Sequence, residues 1–473
     1  MASSLLLVLF FLILISPVRS LSIPTAGFKE YISFKSINEY ISHLATISTL
    51  PKGFSVGSSR FTFTPTEVDA SLPMNLTIIK LDQPTESFAA MFTSNQFPGG
   101  PIIVGKDRMA NSKVLQAVVI NNKISNVCPG SGISDRGVGD SDEICRSVAE
   151  YLQLESKNVV IPSSTGIIGW RLPVSAIKEA IPHTISSLQS ESALPAAMGI
   201  TTTDRYPKVR SYVSKGSTPW SVVGIAKGAG MIEPNMATML CYIMTDLAID
   251  RQCLQKHLEI ATSKSFNTIS VDGDQSTSDT VLAMSSNVYD CYEEKEFQDA
   301  LNEVCVGLAE DIVRNGEGTQ HVIKVTVTGA PSDLFARDLG RFVSNSNLVK
   351  CAINGCDPNV GRIVGAIGSF LGKFENGMEY TKGLSVEINK QKIFADGAFS
   401  LNPQIENILS DSMFKAQLYP DNIPEIDRNY PTHDLTVDID ISLNYDTANT
   451  GVCTVIGSDL TKDYVEVNAD YRS

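Results

Sequence analysis

The sequence lacks the paired cysteines and clustered histidines that mark disulfide frameworks and zinc sites. Its nine cysteines are scattered, their count is odd, and no two of them form a CxxC pair. We expect most of them to be buried as small hydrophobic residues. The five histidines show no metal-ligand spacing either. We therefore expect neither a disulfide scaffold nor a metal centre, and the residues ask for no bound cofactor.

Positive charge is in the minority. The 473 residues include 38 Lys and Arg against 52 Asp and Glu, a net charge of −14 at neutral pH. This balance argues against nucleic acid or an anionic membrane as a partner. With 43% hydrophobic and 19% charged residues, the composition is that of a soluble globular protein. The length suffices for two or three domains with a large core.

The N-terminus holds the one conspicuous hydrophobic run, Leu5 to Ile15, which is too short to span a bilayer. Val18 and Ser20 fit the small-residue rule for signal-peptide cleavage, so residues 1–20 are predicted to be a secretory signal. The stretch has no positive charge before the run, which leaves a plain hydrophobic extension as the alternative. Residues 21–49, rich in Ser and Thr, are either a second targeting segment or a leader helix.

Hydrophobic periodicity predicts alternating strands and helices, and no internal repeat is present. A smaller unit is predicted from 331 to 450, with Val437, Ile439 and Ile441 on one face of a strand. Thr245 or Asp246 is the predicted N-cap of one helix. The predicted strands are Val114–Ile120, Asn158–Ile161, Ser221–Ala226, His321–Thr328 and Val452–Ile456. The predicted helices are Asp142–Leu154, Thr245–Ser263, Glu293–Arg314 and Asp333–Phe342.

The stretch Lys227–Leu240 is the centre of the sequence. Small and turn-forming residues, including Gly228 and Gly230, lead to Thr238, and a continuous apolar run follows. This pattern places Thr238 at the mouth of a buried strand or helix, where a nucleophile would be useful. A phosphate-binding loop does not fit, because Lys227 precedes the glycines. An ordinary connection between two strands remains the alternative from the residues alone.

This stretch resembles the self-cleavage motif of the ornithine acetyltransferase family, the glutamate N-acetyltransferases of arginine biosynthesis. In that family the bond before the threonine is cut, which implies cleavage between Ala237 and Thr238. The string Pro162–Gly169 resembles the family's oxyanion-hole motif and implies that Thr165 and Gly166 fill this role. Without the resemblance, a Ser-Thr-Gly turn is more often a helix N-cap.

Further segments resemble the family's substrate-binding positions. They imply that substrate is bound by Thr202, Lys227, Thr238, Glu317, Asn468 and Ser473. Taken alone, each segment would be an ordinary turn or a chain end. The Asp-rich segment 270–280 lacks the calcium-loop pattern and is interpreted as an architectural loop beside the site.

The resemblance implies a two-step acetyl transfer. Cleavage would free the α-amine of Thr238, whose ordinary pKa of about 7.7–8.0 suits a base that activates the neighbouring hydroxyl. Thr238 would then attack the acetyl group of N-acetylornithine, ornithine would leave, and glutamate would take the acetyl group. No catalytic histidine is needed.

The resemblance covers residues 50–473 and is strongest from Pro162 onward. Departures from the family pattern are Ile124 for Asn, Cys356 for Glu, Val360 for Trp and Ser473 for the terminal Thr. These departures do not affect the residues of the proposed chemistry. They leave undetermined how the residues around the site pack, and therefore which substrate is chosen.

The resemblance implies an α/β fold with the helix–sheet–sheet–helix (αββα) layers of N-terminal-nucleophile enzymes. The expected organisation is a signal at 1–20, a leader at 21–49, a catalytic domain at 50–330, a smaller α/β domain at 331–450, and a returning tail at 451–473. Three alternatives stay open: an aminopeptidase or amidase with the same N-terminal threonine, an uncleaved non-catalytic binding protein, and acetylglutamate synthesis from acetyl-CoA as the main task.

The expected partners are small molecules, N-acetylornithine and glutamate, with acetyl-CoA as a possible second donor. The α chain, to residue 237, and the β chain, from 238, are expected to associate as a heterotetramer of two each. An arginine-pathway enzyme with a secretory signal is expected in an organelle reached through the endoplasmic reticulum, a mitochondrion or plastid, rather than outside the cell.

Overall fold

The computed structural model describes residues 32–130, 134–233, 239–420, 423, 428–443, 448 and 450–469. The helices in these ranges are α1 (Ile37–Ile47), α2 (Gly100–Asn111), α3 (Val138–Leu152), α4 (Val174–Ser186), α5 (Leu194–Gly199), α6 (Arg251–Lys264), α7 (Glu294–Arg314), α8 (Asp333–Ser344), α9 (Asn347–Asn354), α10 (Val360–Leu371), α11 (Pro403–Lys415) and α12 (Lys462–Ala469).

The strands alternate with these helices along the chain. They are β1 (Phe54–Phe63), β2 (Leu72–Thr85), β3 (Phe88–Phe92), β4 (Leu115–Asn121), β5 (Val160–Ser164), β6 (Lys208–Val213), β7 (Ser221–Lys227), β8 (Leu240–Leu247), β9 (Ile269–Ser270), β10 (Thr280–Tyr289), β11 (Val322–Ala330), β12 (Ser385–Ile388), β13 (Gln391–Ala395), β14 (Ala398–Phe399), β15 (Val437–Ser442) and β16 (Gly451–Ser458).

Two sheets stack on each other through a shared apolar layer. The first has the strand order β1-β2-β4-β5, and the second has the order β3-β10-β8-β7-β6. Val56, Leu81 and Val118 from the first sheet belong to the same buried cluster as Tyr242 and Met284 from the second. Alternating strand residues pack two sheets together in this way because successive side chains point to opposite faces.

Helices cover both outer faces of the stacked sheets. Val148 of α3 and Ile181 of α4 are buried in a cluster with the outer face of the first sheet. Leu258 of α6 and Leu308 of α7 do the same for the second sheet. The helix–sheet–sheet–helix arrangement predicted from the resemblance is therefore confirmed.

A third sheet lies in the second half of the chain, with the order β14-β13-β12-β15-β11-β16-β9. Val325 and Ile439 on one face of this sheet share a core with Leu339 of α8 and Ile367 of α10. The alternation predicted for residues 437–441 is thus the inward face of β15. The sheet also takes in β9, β11 and β16, so strands from both sides of residues 331–450 complete it. The predicted domain limits stay a prediction.

The apolar run after residue 238 forms β8, and all eight of its residues are buried. It pairs with β7 on one side and β10 on the other. The prediction that a helix begins at Thr245 or Asp246 is wrong, because both residues still belong to β8. Asp246 accepts the amide of Ser221 at 2.8 Å, while Asp250 caps α6. Pairing between strands outweighed the local capping signal.

Helix α1 packs onto the stacked sheets. Its buried Tyr40 and Leu44 belong to the cluster between the two sheets, and the Tyr40 hydroxyl donates to the carbonyl oxygen of Pro207 at 2.5 Å. The predicted signal, residues 1–20, lies outside the described residues. Within the described ranges, no helix has the length and apolar character needed to cross a bilayer.

Candidate active site

A cavity of about 470 Å³ opens where β5 and β7 end and β8 and β10 begin. Six residues singled out from the sequence line it together: Thr165, Gly166, Thr202, Lys227, Glu317 and Asn468. They come from five separate loops and elements, spread over 304 positions (165 to 468) of the chain. The fold therefore brings the described part of the predicted site into one place. The predicted roles of these residues stay predictions.

Lys227 and Thr165 form a buried hydrogen bond at the floor of the cavity. Lys227 is the last residue of β7, and its Nζ donates to Thr165 Oγ1 at 3.0 Å. Burial lowers the pKa of Lys227, and the nearby Asp204 carboxylate opposes that shift. Because the Thr165 oxygen accepts from the ammonium, its own hydrogen is left to point toward another acceptor.

Gly166 occupies a backbone position that only glycine fits. Its φ is +121°, and a Cβ built on it would lie 2.3 Å from the carbonyl oxygen of Lys123. The amide of Thr165 donates to Asn121 O at 3.1 Å, whereas the Gly166 amide has no partner among the described residues. An unengaged amide next to a threonine hydroxyl is a suitable pair of donors for a developing oxyanion.

A buried ion pair lies directly behind the cavity. Lys208 Nζ lies 2.5 Å from Asp204 Oδ1, and both side chains are fully buried. Burial raises the pKa of Asp204, but Lys208 and Lys227 outweigh it and lower that pKa to about 2. Asp204 also accepts the amides of Gly228 at 2.8 Å and Thr202 at 3.0 Å. The carboxylate therefore joins both walls of the cavity.

Glu317 presents its carboxylate to the cavity between two donors. Thr203 Oγ1 donates to Oε1 at 2.7 Å, and Asn468 Nδ2 donates to Oε2 at 2.8 Å. Gly230 lies so close that a Cβ there would be 2.3 Å from Oε2. Each carboxylate oxygen keeps accepting capacity for a ligand, since one protein donor does not use both lone pairs.

The segment that leads to the predicted cleavage junction is held by Asp272. Its carboxylate accepts the amides of Met231 at 2.7 Å and Ile232 at 2.8 Å. Burial raises the pKa of Asp272. Ile232 in turn accepts the amide of Val271 at 2.6 Å. The chain is thereby anchored just before residues 234–238.

Ala237, Thr238 and Ser473 lie outside the described residues. Met239, the residue after Thr238, lines the cavity, and so does Ala469 of the tail helix α12. The chain therefore reaches the cavity directly after residue 238. The tail reaches it at the end of α12, four residues before the last residue.

Sequence reasoning missed several residues of the cavity wall. Thr203, Ser278 and Asp279 line it, and Asp279 is buried and acts electrostatically on Lys227. The segment containing Ser278 and Asp279 was interpreted only as an architectural loop. The one available signal was its density of Asp, Ser and Thr just before a strand, which does not distinguish a cavity wall from a solvent loop.

A profile of the ArgJ family matches residues 64–473. A Clostridium acetobutylicum protein named arginine biosynthesis bifunctional protein ArgJ 2 is 38% identical over 385 residues, covering 81% of this chain and 90% of the relative. The protein named arginine biosynthesis bifunctional protein ArgJ of Geobacter sulfurreducens is 35% identical and covers 87% of this chain and 99% of its own. Its counterpart in Nitratidesulfovibrio vulgaris is 34% identical, with 90% and 100% covered.

Solved structures with a similar sequence cover about half of the chain. The crystal structure of arginine biosynthesis bifunctional protein ArgJ from Bacillus halodurans is 32% identical, with a TM-score of 0.42, and covers 50% of this chain and 100% of its own. Ornithine acetyltransferase from Mycobacterium tuberculosis, solved with ornithine, is 26% identical, with a TM-score of 0.34, and covers 41% and 97%.

Proposed function

Because this chain belongs to the ArgJ family, we propose that Thr238 carries an acetyl group from N-acetylornithine to glutamate. The chain is an acyltransferase of arginine biosynthesis. The observation that carries the detailed proposal is the hydrogen bond from Lys227 to Thr165 in a cavity that Met239 also lines. The Thr165 hydroxyl and the residue that follows the proposed nucleophile thus line the same cavity, which supports the proposal.

The proposed reaction begins with hydrolysis of the peptide bond between Ala237 and Thr238, in which water supplies the new carboxyl oxygen of Ala237 and a proton to the freed α-amine. The new α-amine of Thr238 accepts the proton of its own hydroxyl, whose oxygen attacks the acetyl carbon of N-acetylornithine. The amide C–N bond then breaks, the amine returns the proton, and ornithine leaves. The neutral amine of glutamate then attacks the resulting ester, its proton passes through the Thr238 α-amine to the departing Thr238 oxygen, and the acyl C–O bond breaks to regenerate Thr238.

The oxyanion formed in each half-reaction is proposed to accept hydrogen bonds from Thr165 Oγ1 and the Gly166 amide. Lys227 keeps the Thr165 hydroxyl oriented by donating to its oxygen. Its ammonium also adds positive charge near the developing negative charge. One such donor is worth about 2.7–4 kcal/mol of transition-state stabilisation.

Substrate binding is proposed to use the opposite charges of the cavity. Glu317 would hold the ammonium group of ornithine. Asn468 and Thr203 keep the Glu317 carboxylate in place. Thr202 and Ser473 are proposed to bind the amino-acid backbone. Because both substrates are amino acids with charged ends, one cavity with a carboxylate and an ammonium suits both.

The α and β chains are proposed to stay together after cleavage and to form a heterotetramer of two each. The β7–β8 ladder, which pairs Lys227 with Leu240, supports the first part, because it joins strands from the two sides of the cut. We propose entry into the secretory route through residues 1–20 and a final site in an organelle.

The decisive experiment incubates purified protein with N-acetylornithine, with and without glutamate. Formation of N-acetylglutamate only when both are present supports transfer. Release of acetate at equal rates with and without glutamate would support an amidase instead. A third arm with acetyl-CoA and glutamate tests the second donor. Thr238→Ala should be inactive in every arm, whereas Thr238→Ser keeps a hydroxyl and should retain part of the activity.

A further inference from the structure

A second cluster of reactive side chains lies away from the cavity. His321 precedes β11, Asp459 follows β16, and Cys356 lies in the turn after α9. None of the three lines the cavity of the candidate active site. Among the described residues, no group of His, Cys, Asp or Glu is spaced to hold a metal ion, so the geometry of this cluster does not fit a metal site.

His321 is held between two acceptors. Its Nδ1 lies 2.8 Å from Asp459 Oδ2, and its Nε2 lies 3.1 Å from the carbonyl oxygen of Met413. A neutral imidazole would turn a lone pair toward one of these oxygens, whereas an imidazolium donates to both. Burial lowers the pKa of His321, but the hydrogen bonds to Asp459 and Cys356 outweigh it and raise that pKa to about 9.

Asp459 is held in place by several hydrogen-bond donors. Besides His321, its oxygens accept the amides of Gln320 at 2.9 Å and of His321 at 3.0 Å, and Asn354 Nδ2 at 3.0 Å. Four donors on one buried carboxyl group fix the position of its two oxygens. The ring of His321 therefore has no freedom to turn away from Cys356.

Cys356 lies next to this pair. Its Sγ is 3.8 Å from His321 Nε2, and Gln417 Nε2 donates to the same sulfur at 3.8 Å. The residue is partly exposed and has a φ of +52°, which holds it in a tight turn. A carboxylate orients the imidazolium, and the imidazolium lies next to the sulfur. Activated cysteines have the same arrangement of three groups.

We propose that Cys356 is a reactive cysteine, activated by the adjacent His321, and a site of mixed-disulfide formation with small disulfides such as glutathione disulfide. In this exchange the Cys356 thiolate attacks one sulfur of the disulfide. A new S–S bond forms, the old one breaks, and one glutathione thiolate leaves, so that no further oxidant is required. The inference does not depend on the proposed acetyl transfer.

The first test measures alkylation of the intact protein by iodoacetamide, followed peptide by peptide with mass spectrometry. Cys291 is the matched control, since it is exposed and its sulfur faces the carbonyl oxygen of Thr218 at 3.8 Å. An ordinary thiol is about 3% ionised at pH 7. Allowing for the lower nucleophilicity of a stabilised thiolate, Cys356 should react about tenfold faster than Cys291. Equal or slower reaction would overturn the proposal.

The pH dependence gives a second test that needs no variant. Between pH 6 and 8 the rate at Cys356 should rise less steeply than the rate at Cys291, because the neighbouring imidazolium favours the reactive form of the sulfur. The other charged groups that act on the cluster are Lys350, on Asp459, and His433, on His321. A rate at Cys356 that rises in parallel with Cys291 would refute activation by His321.

Variants then assign the effect to His321. His321→Gln should reduce the rate at Cys356 to that of Cys291, and unchanged reactivity would refute the role of the imidazole. If the variant does not fold, the wild-type pH profile decides. Incubation with glutathione disulfide should label Cys356 before Cys291. Labelling of Cys291 first, or of neither residue, would count against the exchange site.

Discussion

The valine variant of Thr165 separates the proposed oxyanion donor from a binding residue. Thr165→Val keeps the β-branched shape and removes only the hydroxyl, which is the acceptor for Lys227 at 3.0 Å. Loss of one oxyanion donor should lower kcat by about 10²–10³, or about 2.7–4 kcal/mol, with little change in KM. The buried Lys227 ammonium also loses a partner, so the free energy of unfolding should fall by about 1–3 kcal/mol.

Thr203→Val is the matched control for this variant. Thr203 also lines the cavity, but its hydroxyl donates to Glu317 at 2.7 Å instead. Its loss should raise KM with little change in kcat, because it loosens a proposed binding group. Steady-state kinetics with N-acetylornithine and glutamate, together with urea unfolding of both variants, gives the comparison. If Thr165→Val raised only KM, or if both variants behaved alike, the oxyanion assignment would be wrong.

Three further predictions concern the junction, the tail and the buried ion pair. On a denaturing gel the wild type should run as two fragments, the second beginning at Thr238, and Thr238→Ala as one chain; an intact wild type would contradict self-cleavage. Deleting residues 468–473 should leave cleavage intact and raise KM by about 5- to 150-fold, the equivalent of 1–3 kcal/mol, because the Asn468 donor to Glu317 is lost; unchanged kinetics would remove the tail from the site. Because the folded pKa of Asp204 is lowered from 3.8 to about 2, its contribution to stability is complete above pH 4 and lost as the pH falls through 2; the destabilisation of Asp204→Asn, measured by urea unfolding, should therefore shrink from pH 5 to pH 2.

The layers of the fold could be predicted, but one boundary could not. Alternation in residues 437–441 correctly indicated a strand with one buried face, and the apolar periodicity of residues 293–314 indicated α7. The error at Thr245 and Asp246 came from a local rule, since both residues are good helix caps in isolation. Both residues form hydrogen bonds with Ser221 of β7, which lies 24 and 25 positions earlier in the chain. That distance exceeds the local stretch of sequence on which a capping rule is based.

The candidate site could be named from the sequence only through the family resemblance. Thr165, Lys227 and Glu317 sit in ordinary turns or at a strand end, and neither periodicity nor spacing relates them. Their meeting depends on how separate strands end at one edge of the stacked sheets. The same reasoning explains why Cys356 and His321 gave no signal: 35 residues separate them, and each alone has the pattern of a buried core residue.

The order of strands in the second sheet has a consequence for the molecule if the chain is cut before residue 238, as proposed. β3, β6 and β7 precede residue 238 while β8 and β10 follow it, so the sheet alternates between the two products at β3–β10 and again at β8–β7. An uncut chain refolds as a single molecule, but two products that have come apart must first meet again, which makes recovery dependent on concentration. Cleavage at the proposed junction would therefore make the persistence of the fold depend on how slowly it unfolds. Once its two chains have separated, the cleaved enzyme would regain its fold only if they associate again.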